Sequence, residues 1–124
     1  MVTEKIKLIV ACEYTLYREA ISKVLTSEGD IEIVAEASDM IEVKRAIRQT
    51  EADLLLLDID IAKLNTIEVL SLIKKERPNL GVLLFIMRDY DEKIANAICT
   101  GEMGYIPKSA DTGELIKSIK ASLH

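Results

Sequence analysis

Asp53-Leu54-Leu55-Leu56-Leu57-Asp58 sets four leucines between two carboxylates. It places an ionisable group directly after a run short enough to be a buried strand. Asp60 stands two residues further on. Glu13 follows the apolar run Ile6-Lys7-Leu8-Ile9-Val10-Ala11, and Lys108 follows Gly104-Tyr105-Ile106-Pro107. If these runs are strands of one sheet, Glu13, Asp58 and Lys108 converge on one rim. Carboxylates hold a hard divalent cation through oxygen. A carboxylate also attacks phosphorus and becomes an acyl phosphate, and an ammonium neutralises charge on the transferred group. Each residue alone has an ordinary structural reading: a turn or helix-cap aspartate, a solvated lysine. Only their shared position gives the set a chemical meaning.

The elements that must position them alternate in kind. Short apolar runs at Ile6–Ala11, Ile31–Ala37, Asp53–Asp58, Val82–Ile86 and Gly104–Pro107 predict strands. The run at 31–37 alternates apolar and acidic residues, as near a sheet edge, and Pro107 keeps the last strand brief. Helical spacing appears at Thr15–Glu28, Met40–Gln49, Thr66–Glu76, Tyr90–Thr100 and Asp111–Leu123. Thr15 is the expected cap of the first helix and Gly29 its stop, and Ser38 or Asp39 caps the second. Leu16, Ala20 and Val24 on the first helix, and Leu115, Ile116, Ile119 and Leu123 on the last, are expected to face the core. Strict alternation implies βαβ crossovers and an α/β parallel sheet with helices on both faces. In such sheets ligands bind beyond the carboxyl ends of the strands.

The chain has 124 residues, enough for one core, and no linker or repeat divides it, so residues 1–124 are read as one domain. Apolar residues make up 49% and charged ones 30%, a balance that argues against disorder. With 16 Lys+Arg against 21 Asp+Glu the net charge is −5, which disfavours nonspecific nucleic-acid binding by this piece alone. No apolar run is long enough to span a membrane, and no secretory pattern opens the chain. Cys12 and Cys99 are too few for a disulfide framework, so a reducing cytoplasm is expected. The single histidine, His124, stands at the end, which excludes chemistry on an internal histidine.

The runs around Asp58 and at Gly101-Glu-Met-Gly-Tyr-Ile-Pro-Lys108, with Tyr17-Arg-Glu-Ala-Ile21 and Ile31-Glu-Ile-Val-Ala-Glu-Ala-Ser38, resemble the receiver domain of bacterial two-component response regulators over nearly the whole chain. The last two stretches resemble the NarL/LuxR-type subfamily, which carries a helix-turn-helix domain after the receiver. The resemblance implies a flavodoxin-like (βα)5 doubly wound five-stranded sheet, strand order 2-1-3-4-5, and a signalling protein rather than an enzyme. It implies Asp58 as phosphoacceptor and Lys108 as phosphoryl contact. Glu13, Asp58 and the Asp60 carbonyl would be magnesium ligands, and Ile86, Met87 and Tyr105 would fill switch positions. It further implies a sensor histidine kinase as partner and a homodimer through the first and last helices or through the fourth helix and fifth strand. DNA would be bound only through a domain outside this chain.

Several residues depart from that pattern. Cys12 stands where the family has its first acidic residue, and a soft sulfur ligand does not suit magnesium. A buried free cysteine is most often a small apolar residue, with a redox sensor as the sharper reading. Ile86 replaces a Thr or Ser hydroxyl and cannot hydrogen-bond. Met87 is bulkier than the family's small residue there. Lys63 is either a solvated loop residue or a cation leaning on the acidic rim. The expected function is therefore an atypical receiver, weakly phosphorylated at Asp58 with weak magnesium affinity, or one working without phosphorylation. Ordinary phosphorylation-dependent signalling is one alternative. A small flavodoxin-like redox or nucleotide-binding protein is another, disfavoured because no G-x-G-x-x-G or P-loop occurs.

Overall fold

In a computed structural model the described residues are 5–58, 61, 66–86, 104–107 and 111–122, with the backbone alone described at 66–69, 85–86 and 104–107. The strands are β1 (Ile6–Ala11), β2 (Ile31–Ala37), β3 (Leu54–Asp58), β4 (Gly81–Ile86) and β5 (Gly104–Pro107). The helices are α1 (Thr15–Thr26), α2 (Met40–Gln49), α3 (Thr66–Glu76) and α4 (Thr112–Ala121). The helix expected at Tyr90–Thr100 lies outside the described residues, as do Cys99 and Leu123. All pairings are parallel and the order is β2-β1-β3-β4-β5, as the family resemblance implied.

The side-chain alternation of a strand divides the core in two. Leu54 and Leu56 point to one face of β3 with Leu8 and Val10, where Ile21 and Leu25 of α1 and Leu115 and Ile119 of α4 cover them. Leu55 and Leu57 point to the other with Ile9 and Ala11, under Val43 and Ile47 of α2 and Leu70 and Ile73 of α3. Every residue of β3 is buried, which explains why four consecutive leucines are read as a strand despite their helical propensity. β4 begins at a glycine for a packing reason. A Cβ on Gly81 would lie 2.8 Å from Leu54 Cδ1, closer than real side chains approach.

Three expectations are corrected. The cap of α1 is Tyr14, with no side-chain hydrogen bond, rather than Thr15. α1 also ends at Thr26, although Gly29 does take the left-handed φ of 81° in the turn that follows. Leu16, Ala20 and Val24 do not face the core. Leu16 is 83% exposed, and the inward residues are Ile21, Ser22 and Leu25. Ile41 on α2 is likewise 70% exposed. Apolar residues at helical spacing outnumber the positions one sheet face can cover.

Candidate functional site

The carboxyl ends of β1 and β3 form the centre of the rim. Ala11 pairs with Leu57, so the next residues along, Cys12 and Asp58, stand side by side. Cys12 is 1% exposed and Asp58 fully buried. The Cys12 thiol donates to Asp58 Oδ2 at 3.5 Å, with a longer contact to the Tyr14 carbonyl at 3.8 Å. The thiol is a weak donor, but it gives the buried carboxylate a polar partner in the sheet interior.

The backbone around Cys12 is held from two sides. Its amide donates to the Ala37 carbonyl at the end of β2. Its carbonyl accepts from Arg18 Nη1 at 2.8 Å, while Arg18 Nε pairs with Glu36 Oε1 at 3.1 Å. A planar guanidinium with several fixed donors makes both contacts at once. Arg18 thus ties α1 to the ends of β1 and β2. Tyr17, in the first turn of α1, is half-buried against the core. Its phenol is pushed above the usual tyrosine range by burial first, then by the acidic groups Cys12 and Asp58 nearby.

Cys12, Asp58 and Glu13 are thus gathered at one rim, Glu13 exposed just beyond Cys12. Asp60, Met87 and Lys108 lie outside the described residues, as does Lys63. Ile86 and Tyr105 are placed by backbone alone: Ile86 ends β4 opposite Pro107, and Tyr105 pairs with Leu84. Because β5 runs parallel to β4, it ends at the same rim, and Lys108 is the next residue in the chain. Tyr17 and Arg18 are site residues that sequence reasoning did not single out. Both stand in the Tyr17-Arg-Glu-Ala-Ile21 stretch that carries the subfamily resemblance, and helical periodicity marks Tyr17 in the first turn; nothing in the sequence states what Arg18 reaches.

Magnesium prefers an octahedron of oxygens. Among the described residues no group of three possible metal ligands occurs. The thiol at position 12 contributes no oxygen, and it already bonds the Asp58 carboxylate. The described residues do not make a magnesium cage.

Comparison with known proteins agrees with this fold. The family model described as the response regulator receiver domain matches residues 8–120. The transcriptional regulatory protein DegU of Brevibacillus brevis is 27% identical over 116 residues, covering 94% of this chain and 49% of its own length. The oxygen regulatory protein NreC of Staphylococcus carnosus is 26% identical over 115 residues, covering 92% and 53%. The chain spans about half the length of these curated relatives. Among solved structures, the signal receiver domain of the response regulator NarL from Mycobacterium tuberculosis superposes with a TM-score of 0.85 at 22% identity, covering 98% of both chains. A LuxR-family two-component response regulator from Aurantimonas superposes with a TM-score of 0.84 at 26% identity, covering 97% of this chain and 86% of that one.

Proposed function

The chain belongs to the response regulator receiver domain family, and on that premise we propose that it receives a phosphoryl group at Asp58, weakly, through an altered site. The observation that carries this reading is the buried Asp58 at the end of β3 with a thiol, rather than a second carboxylate, bonded to it. A carboxylate at that place can accept phosphorus from a phosphorylated histidine kinase. Lys108, next after β5, is suited to contact the transferred group. Glu13, Asp58 and the Asp60 carbonyl would hold magnesium loosely, since position 12 supplies no oxygen. Ile86, Met87 and Tyr105 would form a switch without a hydroxyl at position 86.

The domain is a signalling module rather than an enzyme, acting in the cytoplasm. Its family sets aside the redox and nucleotide-binding alternatives. DegU is a transcriptional regulatory protein and both relatives are about twice as long as this chain, which supports control of transcription through a DNA-binding part outside it. The exposed Leu16, Ala20 and Val24 favour self-association through the first and last helices over the helix expected at Tyr90–Thr100 and β5. No helix among the described residues is long and apolar enough to cross a membrane.

The test is incubation with acetyl phosphate and magnesium, followed by intact mass and phosphate release. Slow turnover that disappears in Asp58→Asn is the expected result. No Asp58-dependent adduct or release, in the natural chain or in Cys12→Ala, would instead establish a receiver working through protein contacts alone.

A further inference from the structure

We propose that the Cys12 thiol captures the acyl group of phosphorylated Asp58, forming a thioester between the two side chains and releasing inorganic phosphate. The inference rests on the reading of Asp58 as phosphoacceptor. The placement of the two groups carries it. Sγ lies 3.5 Å from Oδ2, and the carboxyl carbon is one C–O bond, ~1.2 Å, from that oxygen. Both side chains are buried, so neither must be brought in from solvent. Cys12 directly follows β1 and Asp58 ends the adjacent parallel β3, and the strand spacing of ~4.8 Å suits a short covalent bridge. Disulfides join Cα atoms at a similar separation, ~5.5 Å. Backbone hydrogen bonds to Ala37 and Arg18 fix Cys12 in place.

A free carboxylate does not acylate a thiol, because oxide is not expelled. Phosphorylation supplies the leaving group. The donor is an acyl phosphate or a phosphohistidine. Sulfur forms a bond to the Asp58 carbonyl carbon. The bond from that carbon to the phosphoryl-bearing oxygen breaks, and phosphate departs with the electron pair and the thiol proton. Nothing is oxidised or reduced. Well-oriented neighbouring groups react as though present at ~10⁵ M or more, which favours Cys12 over any dissolved thiol. Burial keeps water from the product. Slow hydrolysis then restores the thiol and the carboxylate. The phosphoryl mark would thereby become a covalent strap between β1 and β3, which an acidic residue at position 12 could not form.

The experiment treats the full chain, and its Cys12→Ala variant, with acetyl phosphate and magnesium in heavy-oxygen water. The natural chain is expected to yield a species lighter by one water. After unfolding, only one of its two thiols, Cys12 and Cys99, should then alkylate, until hydroxylamine restores the other. In the first turnover the label should enter Asp58 and not the released phosphate, because the carbon–oxygen bond is the one cut. Cys12→Ala should only gain a phosphoryl group and pass the label to phosphate. A natural chain that gains a phosphoryl group, keeps both thiols and labels its phosphate overturns the thioester while leaving Asp58 as acceptor. Absence of any adduct or label in both proteins removes the acceptor reading and the thioester together.

Discussion

Helix α2 carries the Asp39 carboxylate on its Glu42 amide and the Arg77 guanidinium on carbonyls at and beyond its last turn, whereas α1 starts at Tyr14 with no side-chain cap. α2 also buries Val43, Ala46 and Ile47 as one inward stripe, while α1 leaves Leu16 and Val24 to solvent. Neighbours on one chain, the two helices follow different constraints. α2 satisfies its ends and covers the core, as local rules direct. α1 also covers the core, through Ile21 and Leu25, and Arg18 ties it to Cys12 and Glu36 beside the reactive rim. A helix that lacks an N-terminal side-chain cap, leaves Leu16 in solvent and lies next to the rim is one whose sequence answers to something besides stability.

The widest expected gap lies between a buried position of α2 and an exposed one of α1. Ile47→Ala removes a buried side chain against the sheet and should cost about 3 kcal/mol. Leu16→Ala on α1 should change unfolding free energy by less than about 0.5 kcal/mol, because its side chain already stands in water. Urea denaturation of both variants checks the pair. Equal losses would show that the Leu16 side chain is packed rather than exposed.

Arg77 gives the next effect. Its guanidinium donates to the carbonyls of Ile47 at 2.6 Å, Thr50 at 3.0 Å and Ala52 at 2.9 Å. These acceptors include the end of α2, where a cation also favours the helix dipole. Arg77→Ala should cost about 2 kcal/mol. Lys in its place should recover only part, since an ammonium lacks the fork that reaches three acceptors. Full recovery by Lys would reduce the role of Arg77 to charge alone.

How much of this could be read from residue order depends on range. The five strand positions and the buried run before Asp58 were legible because period and burial coincide there. Asp39 as a cap was legible as one of two candidates, since Ser38 and Asp39 both suit the role. The outward turn of Leu16 was not, because spacing alone does not say which of two overlapping stripes meets the sheet. Leu16, Ala20 and Val24 form one stripe, and Ile21 with Leu25 forms another a hundred degrees round. Arg77 was also hidden: its partners lie between 25 and 30 residues earlier, and a lone arginine after a helix carries no mark of them. At the rim, its place after a strand marks Asp58 and its departure from the family pattern marks Cys12, but their direct bond follows from register, which sequence does not state.

Caps sharpen the contrast at smaller scale. Asp39→Ala removes the acceptor for the Glu42 amide and should cost about 1 kcal/mol. Tyr14→Ser should do the reverse on α1. Tyr14 already holds extended angles, φ −88° and ψ 112°, which suit a capping hydroxyl. A gain of about 0.5 kcal/mol in thermal or urea unfolding is expected. A loss would mean that the Tyr14 ring, half in solvent, contributes more by packing than a cap would.

The smallest effect is a pH dependence confined to α2. Its Glu42 carboxylate accepts from both the amide and the hydroxyl of Ser38, and these bonds hold it below the usual glutamate range, the hydroxyl first. A carboxyl group lowered on folding adds stability above its unfolded pKa, near 4.5, and loses it as pH falls through the lower folded value. The melting temperature of the natural chain should therefore exceed that of Glu42→Gln at neutral pH, with the gap closing below the unfolded value. Asp30 and Glu76 are lowered in the same way, by Lys120 and Arg48, but both variants keep them, so they cancel in the difference. A gap that stayed constant down to acid pH would show that the Ser38 bonds depend on the shape of the side chain at 42 and not on its charge.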